Sequence, residues 1–309
     1  MALLIAGPTA SGKSAIALAL ARRLDGVVIN ADSMQVYRDL RVLSARPSPG
    51  DEALAPHRLY GHVDGAVNYS VGQWLADARA ALDAARASGQ LAIVVGGTGL
   101  YFKALTRGLS PMPAVPEAVR ETVRRAAEGV AAPELHARLR AVDPLMAARL
   151  RPSDPQRILR ALEVFAASGR SLASFQAERS TPLLAPGTWR GLFLTPDRTA
   201  LREIINQRFE AMMQDHATDE VAALKARGLD PLLPVMRAHG VPHLIAWLDG
   251  RLSREEAVTR AKDDTRAYAR RQHTFARHQL PDFAPMTPQA ALQAATTAAD
   301  AAGFAAASA

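Results

Sequence analysis

Apolar residues in the amino-terminal third occur in short blocks, each stopped by glycine or by polar residues. Residues 2–6 (ALLIA) form a continuous apolar run ended by Gly7, and residues 13–24 then carry Ile16, Leu20 and Leu24 at helical spacing. Residues 27–29 stop at Asn30 and Asp32, and residues 91–95 stop at Gly96 and Gly97. Between them, the alanine-rich residues 71–88, bounded by Gly89, read as a helix. Strands alternating with helices predict a parallel sheet with crossover connections, so ligands are expected at the carboxyl ends of the strands. All three predicted strand ends carry polar residues or glycine.

From residue 111 the pattern changes. Proline punctuation at 111–116 opens a stretch of helical periodicity near 117–128, 133–141, 144–150 and 155–168, and a second proline-rich link follows at 182–186. Two links around a strand-free stretch predict an all-helical insertion at 112–184 within an α/β core made of 1–111 and 185–283. Residues 191–195 then read as a return strand, and residues 197–215, 217–227, 253–262 and 263–279 as helices. The alanine-rich residues 284–309 offer little to pack and are expected to form a loose or frayed tail.

Composition adds limits. The 309 residues are 49% hydrophobic and 22% charged, the balance of a folded chain with one large or two modest domains. No apolar run approaches the ~18 residues of a membrane span. The opening MALLIAG lacks a basic stretch and a cleavage site, so a cytoplasmic protein without a signal peptide is expected. The absence of cysteine excludes disulfides, thiolate nucleophiles and cysteine-ligated zinc. An excess of 37 basic over 30 acidic residues, a formal charge of +7, suits a polyanionic partner. A monomer is the expected state.

One motif carries specific chemistry. Gly7-Pro8-Thr9-Ala10-Ser11-Gly12-Lys13-Ser14 has the P-loop spacing and lies between a predicted strand and a predicted helix. Successive amides and the positive helix end form an anion cradle, Lys13 adds a mobile cation, and the Ser14 hydroxyl can ligate Mg2+. The loop predicts a P-loop NTPase-like α/β core that binds a diphosphate or triphosphate. P-loop ATPases and GTPases end a second strand in a metal-holding aspartate, but here LAIVV runs into Gly96-Gly97-Thr98-Gly99. Asp32, just after VVIN, is the acidic residue best placed to reach the space above the phosphates.

Seven segments together resemble the tRNA dimethylallyltransferases, also called tRNA isopentenyltransferases: GPTASGKS at 7–14, NADSMQVY at 30–37, PHRLYGHVD at 56–64, YSVGQW at 69–74, VVGGTGLYFKAL at 94–105, DPQRILRALEVF at 154–165 and TRAYARRQHTFARHQ at 265–279. The resemblance implies transfer of a dimethylallyl group from dimethylallyl diphosphate to N6 of the adenosine 3′ of the tRNA anticodon, releasing diphosphate. A loop that holds a prenyl diphosphate would account for a P-loop without the usual partner aspartate, and a donor without an adenine ring needs no base pocket. Asp32 would then be the general base for the N6 amine. Lys13, Thr9 and Ser14 would meet diphosphate or metal, with Arg208, in Gln207-Arg208-Phe209, as a further diphosphate contact. Asp32, Ser33, Met34 and Gln35 would face the target adenosine and its neighbours, with Thr98 close to the RNA.

An anticodon loop suits this chemistry, because a base must leave its stack to be modified. For the stem, Gln156-Arg157-Ile158-Leu159-Arg160 opens a predicted helix with Arg157 and Arg160 at i and i+3, and Arg120 is a further candidate. Residues 265–277 hold Arg266, Arg270, Arg271 and Arg277 with no acidic residue and interleave His273 and Phe275, a basic face for phosphates. Gln272 and Arg237 complete the tRNA-binding set. The chain departs from the family at Arg270, where lysine is frequent, at Phe275, where tryptophan is common, and at Gly240-Val241, where glycine-tyrosine is usual; a tRNA role at 241–242 therefore does not carry over.

Three other readings share these features. A small-molecule kinase would transfer phosphate from ATP under an arginine-rich lid, a second enzyme would prenylate free adenine nucleotides, and an RNA-binding protein would lack catalysis altogether. Intact Lys13, Ser14 and Asp32 oppose the last. His57, His62 and His136 lack metal-ligand spacing, and Trp74, Trp189 and Trp247 are expected in the core.

Overall fold

The computed structural model describes residues 1–175 and 180–301. Its chain divides into two compact units, Met1–Thr106 with Leu183–Ala309, and Arg107–Pro182. The first unit starts with β1 (Ala2–Ala6), α1 (Lys13–Arg23), β2 (Gly26–Asn30), α2 (Pro49–Leu54), β3 (His57–Arg58), α3 (Val71–Ala87), β4 (Leu91–Gly96) and α4 (Gly99–Arg107). The strands build one parallel six-stranded sheet in the order β3-β2-β4-β1-β5-β6, an α/β core of the P-loop type.

Side-chain alternation explains the layering. Leu4, Ile29 and Val94 face one apolar layer with Trp74 and Phe102, whereas Leu3, Ile5, Val28 and Ile93 face the other with Ile16 and Leu20 of α1. Both faces of the sheet are covered by helices, so the strands read as unbroken apolar runs rather than as alternating patterns. Trp74 is fully buried and stacks on Tyr101 with centroids 4.1 Å apart. Trp189 and Trp247 are half-buried against the same layer.

The second unit is described by itself. It contains α5 (Glu117–Ala127), α6 (Ala132–Val142), α7 (Pro144–Ala147), α8 (Pro155–Ser168) and α9 (Leu172–Phe175), packed around Leu135, Leu139, Ile158, Ala161 and Val164. Asp154 caps α8 by accepting from Arg157 N, with Pro155 in its first turn. Buried Glu163 is paired by Arg124 at 3.1 Å and Arg160 at 3.6 Å. His136 is buried with Nε2 2.9 Å from the Ala147 carbonyl oxygen, a core role rather than a metal one.

The first unit resumes with β5 (Trp189–Leu194), α10 (Arg198–Gln214), α11 (Ala217–Ala226), a 3-10 turn (Val235–Arg237), α12 (Val241–Leu248), α13 (Arg254–Gln279), β6 (Phe283–Met286) and α14 (Pro288–Ala301). The two helices expected at 253–262 and 263–279 are one. Ser253 and Glu256 form a capping box at its start, and no glycine or proline interrupts it afterwards. Helix α12 escapes the sequence pattern because Pro242 reads as a breaker, yet it lies in the first turn, where a missing N–H costs nothing.

The expected loose tail is the clearest correction. Residues 283–286 pair in parallel with β5, and α14 lays Ala291 and Ala295 against the layer that holds α1, at 0% and 1% exposure. Alanine is what permits this, since small side chains let one helix approach another closely. Residues 302–309 of the tail lie outside the described residues. Ala291→Asp would bury an unpaired carboxylate there and is expected to lower stability by about 2–3 kcal/mol in urea unfolding; a loose tail would leave the midpoint unmoved.

Candidate active site

Strand order decides what meets what. Because β4 lies between β1 and β2, the P-loop after β1, the Gly96-Gly97-Thr98-Gly99 turn after β4 and the Asp32 segment after β2 emerge side by side. The last two are stitched together: Ala31 N donates to the Val95 carbonyl at 2.7 Å and Thr98 N to the Ala31 carbonyl at 3.1 Å. Glycine at 96 is required, since a Cβ there would stand 2.1 Å from the Ala31 carbonyl oxygen.

The Asp32 turn is held by Asn30, which is fully buried at the end of β2. Its Oδ1 accepts from Asp32 N at 2.8 Å, and its Nδ2 donates to the carbonyls of Asp32 at 2.9 Å and Leu59 at 3.0 Å. Trp74 Nε1 in turn donates to the Asn30 carbonyl at 2.9 Å. Asp32 Oδ1 accepts from Met34 N at 3.0 Å, which fixes the carboxylate and leaves Oδ2 toward Gly97. Ser33 N donates to Thr98 Oγ1 at 2.9 Å, so the two turns share a hydroxyl.

Helix α13 seats on these turns through two residues. Gln272 is buried; its Oε1 accepts from Thr9 N at 2.8 Å and its Nε2 donates to the Gly97 carbonyl at 2.9 Å. Phe275 packs on Gly99. A Cβ at position 97 would stand 2.0 Å from Gln272 Nε2 and one at position 99 would stand 2.2 Å from the Phe275 ring, so both glycines serve the approach of α13.

The P-loop turns into α1 through Gly12 at φ 83°. Lys13 Nζ rests on the Pro8 carbonyl at 3.2 Å. Burial pushes its ammonium down to about 8, with Asp32 opposing the shift and Arg208 adding to it. Arg208, from α10, donates to Thr9 Oγ1 and is likewise lowered by burial, again opposed by Asp32. Two cations and one carboxylate thus share a poorly solvated space. Thr9, Asp32, Met34, Arg208, His239 and Tyr268 line a cavity of about 60 Å³. Burial raises the Tyr268 hydroxyl and lowers His239, and the two rings lie 4.5 Å apart. Ile205 lines both this cavity and a larger one of about 880 Å³, which holds Pro8, Arg198, Arg202, Arg266 and Arg270.

Sequence-predicted residues fall into distinct places. Thr9, Asp32, Met34 and Arg208 meet on one cavity, while Lys13, Ser33 and Thr98 adjoin it. Ser14 is exposed in the first turn of α1. Gln272, expected at the RNA, is instead an internal tie with both ends of its amide used. Ile158 is also corrected: at 0% exposure it belongs to the core of the helical unit, and Leu159 packs half-buried on that core. Gln35 spends its amide nitrogen on the carbonyls of Ser44 and Ala45. Arg270 lines the larger cavity beside Pro8, whereas Arg271 lies over the Tyr268 ring. Gln156, Arg157, Arg237, Arg271 and Arg277 are exposed, and Arg120 pairs with Glu117 at 2.6 Å. Sequence reasoning missed Tyr268 and His239. Tyr268 stands four residues before Gln272 on the same helix face, a signal that was available.

Comparison with known proteins follows the same lines. A family model described as IPP transferase matches residues 35–279. The chain is 66% identical over 290 residues to a tRNA dimethylallyltransferase of Methylocella silvestris, covering 94% of this chain and 96% of that one. The full-length tRNA isopentenylpyrophosphate transferase of Bacillus halodurans has a similar structure, with a TM-score of 0.69 and 28% identity over 98% of this chain and 95% of that one. A eukaryotic dimethylallyltransferase described as acting on tRNA gives a TM-score of 0.78 and 25% identity over 96% of this chain and 77% of that one. With most of its length matched in both sequence and structure, the chain belongs to the IPP transferase family.

Proposed function

We propose that this protein transfers the dimethylallyl group of dimethylallyl diphosphate to N6 of the adenosine 3′ of the tRNA anticodon. The observation that carries the reading is the shared cavity, in which a fixed carboxylate, Asp32, faces Thr9 and Arg208 beside Lys13. A carboxylate and an anion cradle on one cavity suit a reaction that takes a proton from one substrate and a diphosphate from the other.

The donor's diphosphate lies on the P-loop amides, with Lys13, Thr9 and Arg208 on its oxygens. The N6 lone pair forms the new N–C bond at the allylic carbon as the C–O bond to diphosphate breaks. The N6 proton passes to the free oxygen of Asp32, and charge building on the departing oxygen is met by Lys13 and Arg208. Among the described residues no group of three or more His, Asp or Glu side chains could hold a metal ion. Mg2+ would be held on the protein side by the Ser14 hydroxyl in the first turn of α1, an oxygen ligand of the kind it accepts. When bound, it supplies further neutralisation of the leaving group. On the core unit, the exposed basic groups Arg237, Arg271 and Arg277 would meet phosphates of the anticodon stem-loop. This reading places the enzyme in the cytoplasm with its tRNA.

Labelled dimethylallyl diphosphate offered to an anticodon stem-loop, beside free AMP and an ATP-hydrolysis control, tests the reading. Label is expected on the stem-loop alone, and Asp32→Ala is expected to slow transfer by about 10²–10⁴-fold. ATP consumption without prenyl transfer would overturn the reading in favour of a kinase.

The pH dependence follows from Lys13, which carries its charge below about 8 and loses it above. Since kcat/KM reports the free enzyme, its value for the donor is expected to fall as pH rises through that point. Lys13→Met should lower it by at least about tenfold and abolish the alkaline limb. A wild-type profile that stays flat to pH 9 would contradict the role of Lys13.

A further inference from the structure

The loop after the Asp32 turn is held by a carboxylate that no motif singles out. Glu220, in the first turn of α11, accepts from three consecutive amides: Arg41 N and Val42 N reach Oε1 at 2.7 Å, and Leu43 N reaches Oε2 at 3.1 Å. Successive amides aimed at one point make an anion-binding concavity, and here the protein fills it with its own charge. From the other side Gln35 Nε2 donates to the carbonyls of Ser44 at 2.9 Å and Ala45 at 2.8 Å. Residues 41 through 45 are thus each held by a side chain from outside the loop.

What this loop presents is the point. Leu43 and Ser44 both line the cavity that contains Asp32. Among the described residues no hydrogen bond joins the P-loop, Lys13 or Arg208 to residues 41–45, although Thr9 and Arg208 line the same cavity; the loop is tied instead to Gln35, in the acceptor-facing segment that follows Asp32. Helix α11 is anchored separately, by buried Val221 and Leu224 and by Arg227, which bridges Asp39 and Asp64. Losing the carboxylate would free the loop without unseating the helix.

We infer that Glu220 is a positioning residue that fixes Leu43 and Ser44 as the acceptor-side wall of the Asp32 cavity. The inference rests on the proposed prenyl transfer and deepens it, because it assigns control of the acceptor's fit to a residue remote from the chemistry. A merely structural Glu220 would move stability and all kinetic constants together. A positioning Glu220 moves the acceptor constant and leaves the donor constant in place.

The test compares wild type with Glu220→Gln, which keeps the shape but loses the charge and turns an NH2 group toward an amide N–H. KM for the anticodon stem-loop is expected to rise about tenfold, the scale of hydrogen bonds to a charged group. KM for dimethylallyl diphosphate stays near wild type, while Tm falls with the loss of the amide bonds to the charge. Glu220→Asp, with the charge but a shorter reach, falls between and carries the same split if the glutamine variant does not fold. Val221→Ala, which loosens the docking of α11, lowers Tm and leaves the stem-loop KM unchanged. An unchanged stem-loop KM in Glu220→Gln, or an equal rise in both KM values, overturns the inference. Should wild type transfer no prenyl group, the proposed function is what fails. Amide hydrogen exchange at residues 41–43 then reads the clamp alone: it must quicken in Glu220→Gln, and equal protection in both proteins overturns the clamp.

Discussion

Two hydrogen bonds from one buried amide hold the site together. Gln272 takes the Thr9 amide proton with its oxygen and gives its own proton to the Gly97 carbonyl, so a helix near the carboxyl end ties the P-loop to the turn beside Asp32. A buried amide left unpaired at either end costs about 1–3 kcal/mol, which makes the geometry close to all-or-none. The constraint reaches back into sequence: positions 97 and 99 must be glycine for α13 to come close enough. It also reaches forward into function. With Gln272 fixed, the same helix delivers Tyr268 to the Asp32 cavity and Arg270 to the larger cavity beside Pro8.

Electrostatics gives the arrangement its direction. Lys13 and Arg208 are both depressed by burial, and Asp32 is the nearby charge that opposes the shift in each. In the proposed reaction an incoming diphosphate would relieve the burial of the two cations. That also explains how a P-loop operates where the second strand ends in glycines rather than in an aspartate. The glycines leave room for α13, and the acidic group comes instead from the neighbouring strand end.

How much of this was legible in sequence depended on distance along the chain. The strand, loop and helix around residues 2–23 announce themselves because every signal is local. Asp32 was legible too, since it sits one turn beyond an apolar strand and strand order does the rest. Arg208 was legible only through resemblance, its partner Thr9 lying on another element. Gln272 and Ile158 were misread for one reason: a polar or flanking position in a helix does not say which face is buried, and the tie from Gln272 to Thr9 spans 263 positions. Pro242 hid α12 because breakers and first-turn residues look alike until the helix start is known. The alanine-rich tail looked empty because small side chains carry little hydrophobic signal, although close packing is what they are good for.

The most direct test of the account is Gln272→Leu, which keeps the volume of the side chain and removes both bonds. With the fold retained by circular dichroism, kcat/KM for prenyl transfer should drop about 100-fold, as expected when reacting groups are misplaced by roughly an ångström. Transfer at the wild-type rate would contradict the claim that this amide organises the site.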